Sequence, residues 1–280
     1  MKSDVKRKVL KALDEIKALH ESKQPYSATI PSIETWTNTL GIVLDPWQYE
    51  IMTATSNRTL ILCPRQTGKS FVSAMYAAYS CLFSPGKNII IIAPTLRQSR
   101  LLFATIDKFI VSTREKSKIL TRNTTLIELA HGGKVTALPG DKPDMVRGMT
   151  ADLVLVDEAA FVRDDVLAVI LPMLATTNGK LLLLSTPSGP EGVFYRSWNG
   201  EESWDRRRID VGDCPRITKE FLDDAKIRLG KIMYSQEYEC QFLQSAGAFF
   251  DAEAVNRIFG AETIGPSFSN DKLTRGIRYE

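Results

Sequence analysis

Three unbroken apolar runs constrain this chain more than any other feature: Ile89–Ile92, Leu153–Val156 and Leu181–Leu184. A strand with one face in water alternates apolar and polar residues, whereas a strand covered on both faces reads as a continuous hydrophobic run. Each run has strand length and falls far short of the roughly 18 residues that a membrane span needs. The spacing predicts strands over Thr59–Cys63, Asn88–Ala93, Leu153–Val156 and Lys180–Ser185. It predicts helices over Lys69–Phe83, Leu96–Val111 and Asp164–Leu174, with a further helix start at Asp45-Pro46, where Asp45 is the N-cap. Leu126–Leu138 reads as a hairpin turning at His131-Gly132-Gly133. Strands alternating with helices from about residue 40 to residue 210 make an α/β fold with a mainly parallel central sheet flanked by helices.

The flanks differ from this core. Residues 4–20 carry a helical apolar stripe (Val5, Val9, Leu10, Leu13, Ile16, Leu19) opposite a basic face, and Pro25 and Pro31 mark a loop. Beyond Gly212 the composition changes. Ile217–Phe242 is helical, with Thr218 as N-cap and Gly230 as a break, and the chain ends in a polar stretch. The division expected is an N-terminal helical segment (1–40), a core (41–212), a small helical subdomain (213–250) and a linker (251–280).

Composition removes several classes. With 280 residues, 44% of them hydrophobic and 25% charged, the chain builds a core without staples. The cysteines Cys63, Cys81, Cys214 and Cys240 form no C-x-x-C pair and are joined by only two histidines, which argues against a structural zinc site and for reduced thiols. The charged N-terminus lacks the apolar segment of a secretory signal, so a soluble intracellular protein is expected. The net charge of +3 neither demands nor forbids a nucleic-acid partner. Residues 97–122 are locally basic (Arg97, Arg100, Lys108, Arg114, Lys116, Lys118, Arg122) and are a candidate phosphate-backbone contact.

The strongest chemical signal is Cys63-Pro-Arg-Gln-Thr-Gly-Lys-Ser70, placed between a strand and a helix. Backbone N–H groups of Arg65, Gln66, Thr67 and Gly68 would cradle phosphates there, Lys69 would reach the β- and γ-phosphates, and Ser70 would hold Mg²⁺. Cys63 stands where such loops carry their first glycine. About 90 residues on, Leu153–Val156 runs into Asp157-Glu158, the pattern of a metal-holding acid followed by a water-activating one. Thr186, in Ser185-Thr186-Pro187, follows a neighbouring strand and is placed to sense a γ-phosphate. Gln48 offers a donor and an acceptor to an adenine edge. Arg147, ten residues before Asp157, has the planar charged fork to reach a γ-phosphate in a neighbouring subunit, while Arg65 serves its own subunit's phosphates.

Taken together, these motifs resemble the N-terminal packaging ATPase domain of the large terminase subunit of tailed double-stranded DNA viruses, over roughly residues 40–250. The resemblance rests on the Gln48 segment, the Arg-Gln-Thr-Gly-Lys-Ser form of the P-loop, Val156-Asp-Glu-Ala-Ala-Phe161, Ser185-Thr-Pro-Ser-Gly189 and Gln236-Glu-Tyr-Glu-Cys-Gln-Phe242. It implies a P-loop NTPase of the ASCE type with a helical lid after about residue 212. It implies Mg²⁺-dependent ATP hydrolysis with roles for Arg65 and Arg147, and a coupling role for Thr186. The implied partners are double-stranded DNA, a portal protein, a small terminase subunit and further copies in a ring, a pentamer on the portal and a monomer in solution, in the cytoplasm of a host cell and without a membrane. A nuclease follows the motor in that family, and no acid cluster for one is expected in this chain. Two other readings stay open: a superfamily 2 helicase fragment, for whose second domain the roughly 90 residues after Thr186 are too few, and a nucleotide-gated assembly protein that barely hydrolyses.

Overall fold

The computed structural model describes residues 30–113 and 118–243. The expected N-terminal helix at 4–20, the basic residues Arg114 and Lys116, and the 251–280 linker lie outside them. Helices α1 (Ile33–Thr39) and α2 (Pro46–Thr53) precede strand β1 (Arg58–Leu62) and α3 (Lys69–Phe83). Then come β2 (Asn88–Ala93), α4 (Leu96–Ser112), β3 (Ile119–Arg122), β4 (Leu126–Leu129), β5 (Lys134–Pro139) and the short α5 (Pro143–Val146). After these follow β6 (Leu153–Asp157), α6 (Asp164–Leu174), β7 (Lys180–Ser185), α7 (Gly192–Asn199), β8 (Asp205–Arg208) and α8 (Lys219–Tyr238).

Among the described residues eight strands form one sheet in the order β3-β4-β5-β2-β6-β7-β1-β8. From β5 to β8 every pairing is parallel, and only the pairings of β4 with β5 and with β3 are antiparallel. The continuous apolar runs have the cause the sequence suggested. Ile89, Ile91, Leu153, Leu155, Leu182 and Leu184 pack into one core beneath α1–α4. Their neighbours Ile90, Ile92, Val154, Val156, Leu181 and Leu183 pack into the opposite core with residues of α6 and α7. Alternate residues of each strand thus enter opposite apolar layers, and all of these residues are 5% exposed or less.

Five elements escaped the sequence reading, the single-turn α5 among them. β3 extends the expected hairpin to three strands; its residues are mostly exposed, so no apolar pattern marks it. β8 reads Asp-Arg-Arg-Arg, which argues against a strand until its edge position is known. Arg206 spends its charge on the carbonyls of Ser197, Gly200 and Glu202 at the end of α7, and Arg207 pairs with Asp205 and Glu50. Charged side chains also protect an open sheet edge from pairing with other chains. The short helices α1 and α7 offer too few turns for a clear period. The expected helix at Ile217–Phe242 is shorter, Lys219–Tyr238, and Gly230 does break it, at φ 70° and ψ 168°.

Candidate active site

Because β1, β2, β6 and β7 are parallel, their carboxyl ends share one edge of the sheet. β7 lies between β1 and β6, with Leu62 opposite Ser185 and Asp157 opposite Leu184. The P-loop leaving β1 and the acids ending β6 therefore flank the tip of β7. Ligands bind beyond the carboxyl ends of strands in open α/β sheets.

The P-loop turns at Gln66 (φ 62°) and Gly68 (φ 96°). Cys63 is not among the residues with positive φ, so its backbone has no need of the glycine expected there. Cys63 is fully buried, which pushes its thiol far above the ordinary range and keeps it neutral. The Thr67 hydroxyl donates to Pro64 O at 3.0 Å and closes the loop from within. Gly68 caps the N-terminus of α3, where free N–H groups and the helix dipole favour an anion.

Five of the sequence-derived residues meet in one cluster. Lys69 Nζ lies 2.6 Å from Glu158 Oε1. Ser70 Oγ donates to Asp157 Oδ2 at 2.7 Å. Thr186 Oγ1 donates to Glu158 Oε2 at 3.3 Å. Glu158 takes a left-handed conformation (φ 53°, ψ 46°), uncommon for a residue with a side chain and costly unless its surroundings hold it. Ser185 holds that turn: its hydroxyl accepts from Ala160 N at 3.1 Å, while its carbonyl accepts from Cys63 N at 3.1 Å. Ser185 thus joins the two loops, and Thr186 faces the acid.

The electrostatics follow from burial. Burial alone would lower the pKa of the Lys69 ammonium, but Glu158 first, with Asp157, outweighs it and holds Lys69 above its ordinary value. Burial raises the Asp157 carboxyl, against the opposing pull of Lys69.

The remaining sequence-derived residues lie around this cluster. Gln48 is 2% exposed, buried rather than displayed on its helix. Its Oε1 accepts from Asp45 N at 3.1 Å, and a Cβ built on Gly68 would stand 2.8 Å from its Nε2, so the amide abuts the P-loop. Arg65 turns outward: its N–H donates to Glu237 O at 3.0 Å, and its Nε lies 2.6 Å from Glu237 Oε2. Arg147 is exposed at the C-terminus of α5, and among the described residues its guanidinium has no ion pair and no contact with the cluster. Of the basic stretch, Arg97, Arg100 and Lys108 are exposed on α4, whereas Arg122 is held by both oxygens of Asp107 at 2.8 Å. Arg216 was missed by sequence reasoning, and Glu237, quoted only within the Gln236–Phe242 segment, was given no role there, since each touches the P-loop from about 150 residues or more away in the chain.

Mg²⁺ beside a nucleotide is held by one or two carboxylates, with waters and phosphate oxygens completing the octahedron. The Ser70 hydroxyl and the Asp157 carboxylate, already paired, are such a donor set. Among the described residues no group of three or more His, Cys, Asp or Glu could make an all-protein metal site.

The family model for the N-terminal part of the T4likevirus-type terminase large subunit matches residues 60–257. The chain belongs to this family. The large terminase subunit of Thermus phage G20c is 25% identical over 242 residues, covering 72% of this chain and 49% of the relative. The chain thus spans about half the length of the curated relatives it matches. The solved ATPase domain of the Thermus phage P74-26 large terminase superposes with a TM-score of 0.67 at 23% identity, covering 77% of this chain and 100% of that one. A large terminase from a thermophilic bacteriophage, solved with ATP-γ-S, has a TM-score of 0.57 at 15% identity, covering 72% and 53%. These likenesses support the fold: a P-loop terminase core with a mostly parallel sheet.

Proposed function

We propose that this chain is the ATP-hydrolysing motor region of a viral DNA-packaging terminase, converting hydrolysis into movement of double-stranded DNA into a procapsid. The observation that carries the reading is the meeting of Lys69 and Ser70 with Asp157 and Glu158 at the tip of β7. The nucleotide held by the thermophilic phage relative supports ATP as the substrate class. In this reading Lys69 and the backbone from Arg65 to Gly68 bind the phosphates, and Gln48 reads the base. Ser70 and Asp157 hold Mg²⁺, which when bound neutralises charge on the β- and γ-oxygens.

Glu158 is the base. Phosphate oxygens arriving at the cradle compete with Glu158 for the Lys69 ammonium, which releases the carboxylate to orient and deprotonate a water. Thr186, on the other carboxylate oxygen, reports that change to the loop after β7. Arg65 stabilises charge in its own subunit, and Arg147 acts across a ring interface. The partners are double-stranded DNA, met by Arg97, Arg100 and Lys108, together with a portal protein, a small terminase subunit and further copies in a pentameric ring. The setting is the host-cell cytoplasm. Among the described residues no helix is long and apolar enough to cross a membrane. The 213–250 segment acts as a lid and 251–280 as the link toward a nuclease domain.

The test is steady-state ATP turnover with and without double-stranded DNA at several salt concentrations. Turnover stimulated by DNA, and less so as salt rises, is expected. Turnover indifferent to DNA would favour an assembly ATPase, and ATP binding without turnover a nucleotide-gated switch.

A further inference from the structure

The base-facing side of the P-loop is closed by a residue that no motif contains. Arg216, in the turn before α8, places its guanidinium flat against Asp45: Nη1 donates to Oδ1 at 2.9 Å and Nη2 to Oδ2 at 2.6 Å. Nη2 also donates to Thr67 O at 3.2 Å, inside the P-loop. Asp45 is the N-cap of α2 and is 8% exposed, and its backbone N–H is the group that the Gln48 amide accepts from. One planar fork therefore ties the turn that aims Gln48 to the peptide that precedes Gly68. We propose that Arg216 is a positioning residue that fixes the base-reading turn Asp45–Gln48 in register with the phosphate cradle. The proposal rests on the reading of this cradle as an ATP site and of Gln48 as its base contact.

The physical argument has two parts. In a trans peptide the C=O and the next N–H point in opposite directions. Holding Thr67 O toward Arg216 therefore turns the Gly68 N–H the other way, and among the described residues that N–H donates to no protein group. Second, charge-assisted, bidentate contacts to a carboxylate fix direction as well as distance. Asp45 and its turn cannot rotate without breaking two bonds to Arg216. Lysine keeps the charge but presents a single ammonium, which cannot hold both carboxylate oxygens and the Thr67 carbonyl in one plane. More than half of the Arg216 side chain is exposed (54%), so a role in core packing does not explain it.

The experiment compares dissociation constants for ATP and for inorganic tripolyphosphate in the same Mg²⁺ buffer. The ratio of the two isolates what the base and sugar add to binding. Gln48→Ala is expected to reduce the preference for ATP. Arg216→Gln and Asp45→Asn are each expected to reduce it by about tenfold, the size expected for losing a hydrogen bond to a charged partner. The double variant should be no worse than either single one, because both break the same link. Arg216→Lys should fail to restore the preference, and it carries the test if Arg216→Gln melts below the assay temperature. Equal weakening of ATP and tripolyphosphate by Arg216→Gln would show a general structural role and overturn the proposal. So would full recovery of the preference by Arg216→Lys. If Gln48→Ala cuts the preference and the Arg216 variants do not, the base contact stands and the proposal fails. If Gln48→Ala leaves the preference intact, the base contact itself is wrong, and the proposal falls with it.

Discussion

Lys69 Nζ and Glu158 Oε1 stand 2.6 Å apart, so the lysine of the phosphate cradle and the acid at the end of β6 neutralise each other. A phosphate that takes Lys69 must displace Glu158, and a Glu158 so displaced is free to act. Removing the carboxylate's charge frees the lysine without touching the loop. Glu158→Gln is therefore expected to bind ATP at least as tightly as the parent, by calorimetric titration. Binding weakened tenfold or more would show that the pair supports the cradle rather than competing with it.

In the proposed function Asp157 serves chemistry, and its burial costs the fold. Burial raises its carboxyl above the ordinary value. For an acid raised in the folded state, the penalty is absent below the unfolded pKa of about 3.9, where both states are protonated. It grows as pH rises from there and is complete above the folded pKa. Asp157→Asn is expected to raise the melting temperature at pH 7 by about 2–4 °C, the shift that about 1 kcal/mol gives in a chain of this size. The gain should shrink as pH falls toward 4. A melting temperature lowered at pH 7 would mean that the Ser70 and Lys69 contacts outweigh burial.

Gly68 is needed twice over. Its φ of 96° disfavours any side chain, and a Cβ there would come within 2.8 Å of Gln48 Nε2. Gly68→Ala is expected to weaken ATP binding by at least tenfold while costing the fold about 1–2 kcal/mol. Calorimetry and thermal melting separate the two effects, and unchanged binding would argue that the loop rearranges without loss.

How much of this was legible in the sequence depended on how far each signal reached. Runs such as Ile89–Ile92 reported burial on both faces because every residue in them is buried. The P-loop and the Asp157-Glu158 pair were legible because their chemistry lies within a few consecutive residues. The strand order that brings them together was not, since it depends on β7 inserting between β1 and β6. Gln48 was found as a residue, but its burial was not foreseen, because a polar side chain on a short helix looks exposed until the P-loop packs on it. Glu237 meets Arg65 only through tertiary packing. The Asp-Arg-Arg-Arg of β8 carries no apolar strand signal, and the bonds of Arg206 to the end of α7 appear only in the folded edge.

Among the described residues Arg147 makes no side-chain hydrogen bond or ion pair with the cluster, as a residue acting across an interface would. Arg147→Ala and Glu158→Gln proteins should each be inactive, and mixing them should restore part of the turnover, because an intact Glu158 can then meet an intact Arg147 from a neighbour. Absence of rescue where mixed rings are shown to form would remove Arg147 from the trans role.

The most direct test of the account is single: steady-state ATP turnover of Glu158→Gln beside the parent, at saturating ATP and Mg²⁺. With binding intact, loss of a positioned base predicts a fall of about 10² or more. Turnover at the parent rate would contradict the assignment of Glu158 as the base, and with it the mechanism built on the Lys69–Glu158 pair.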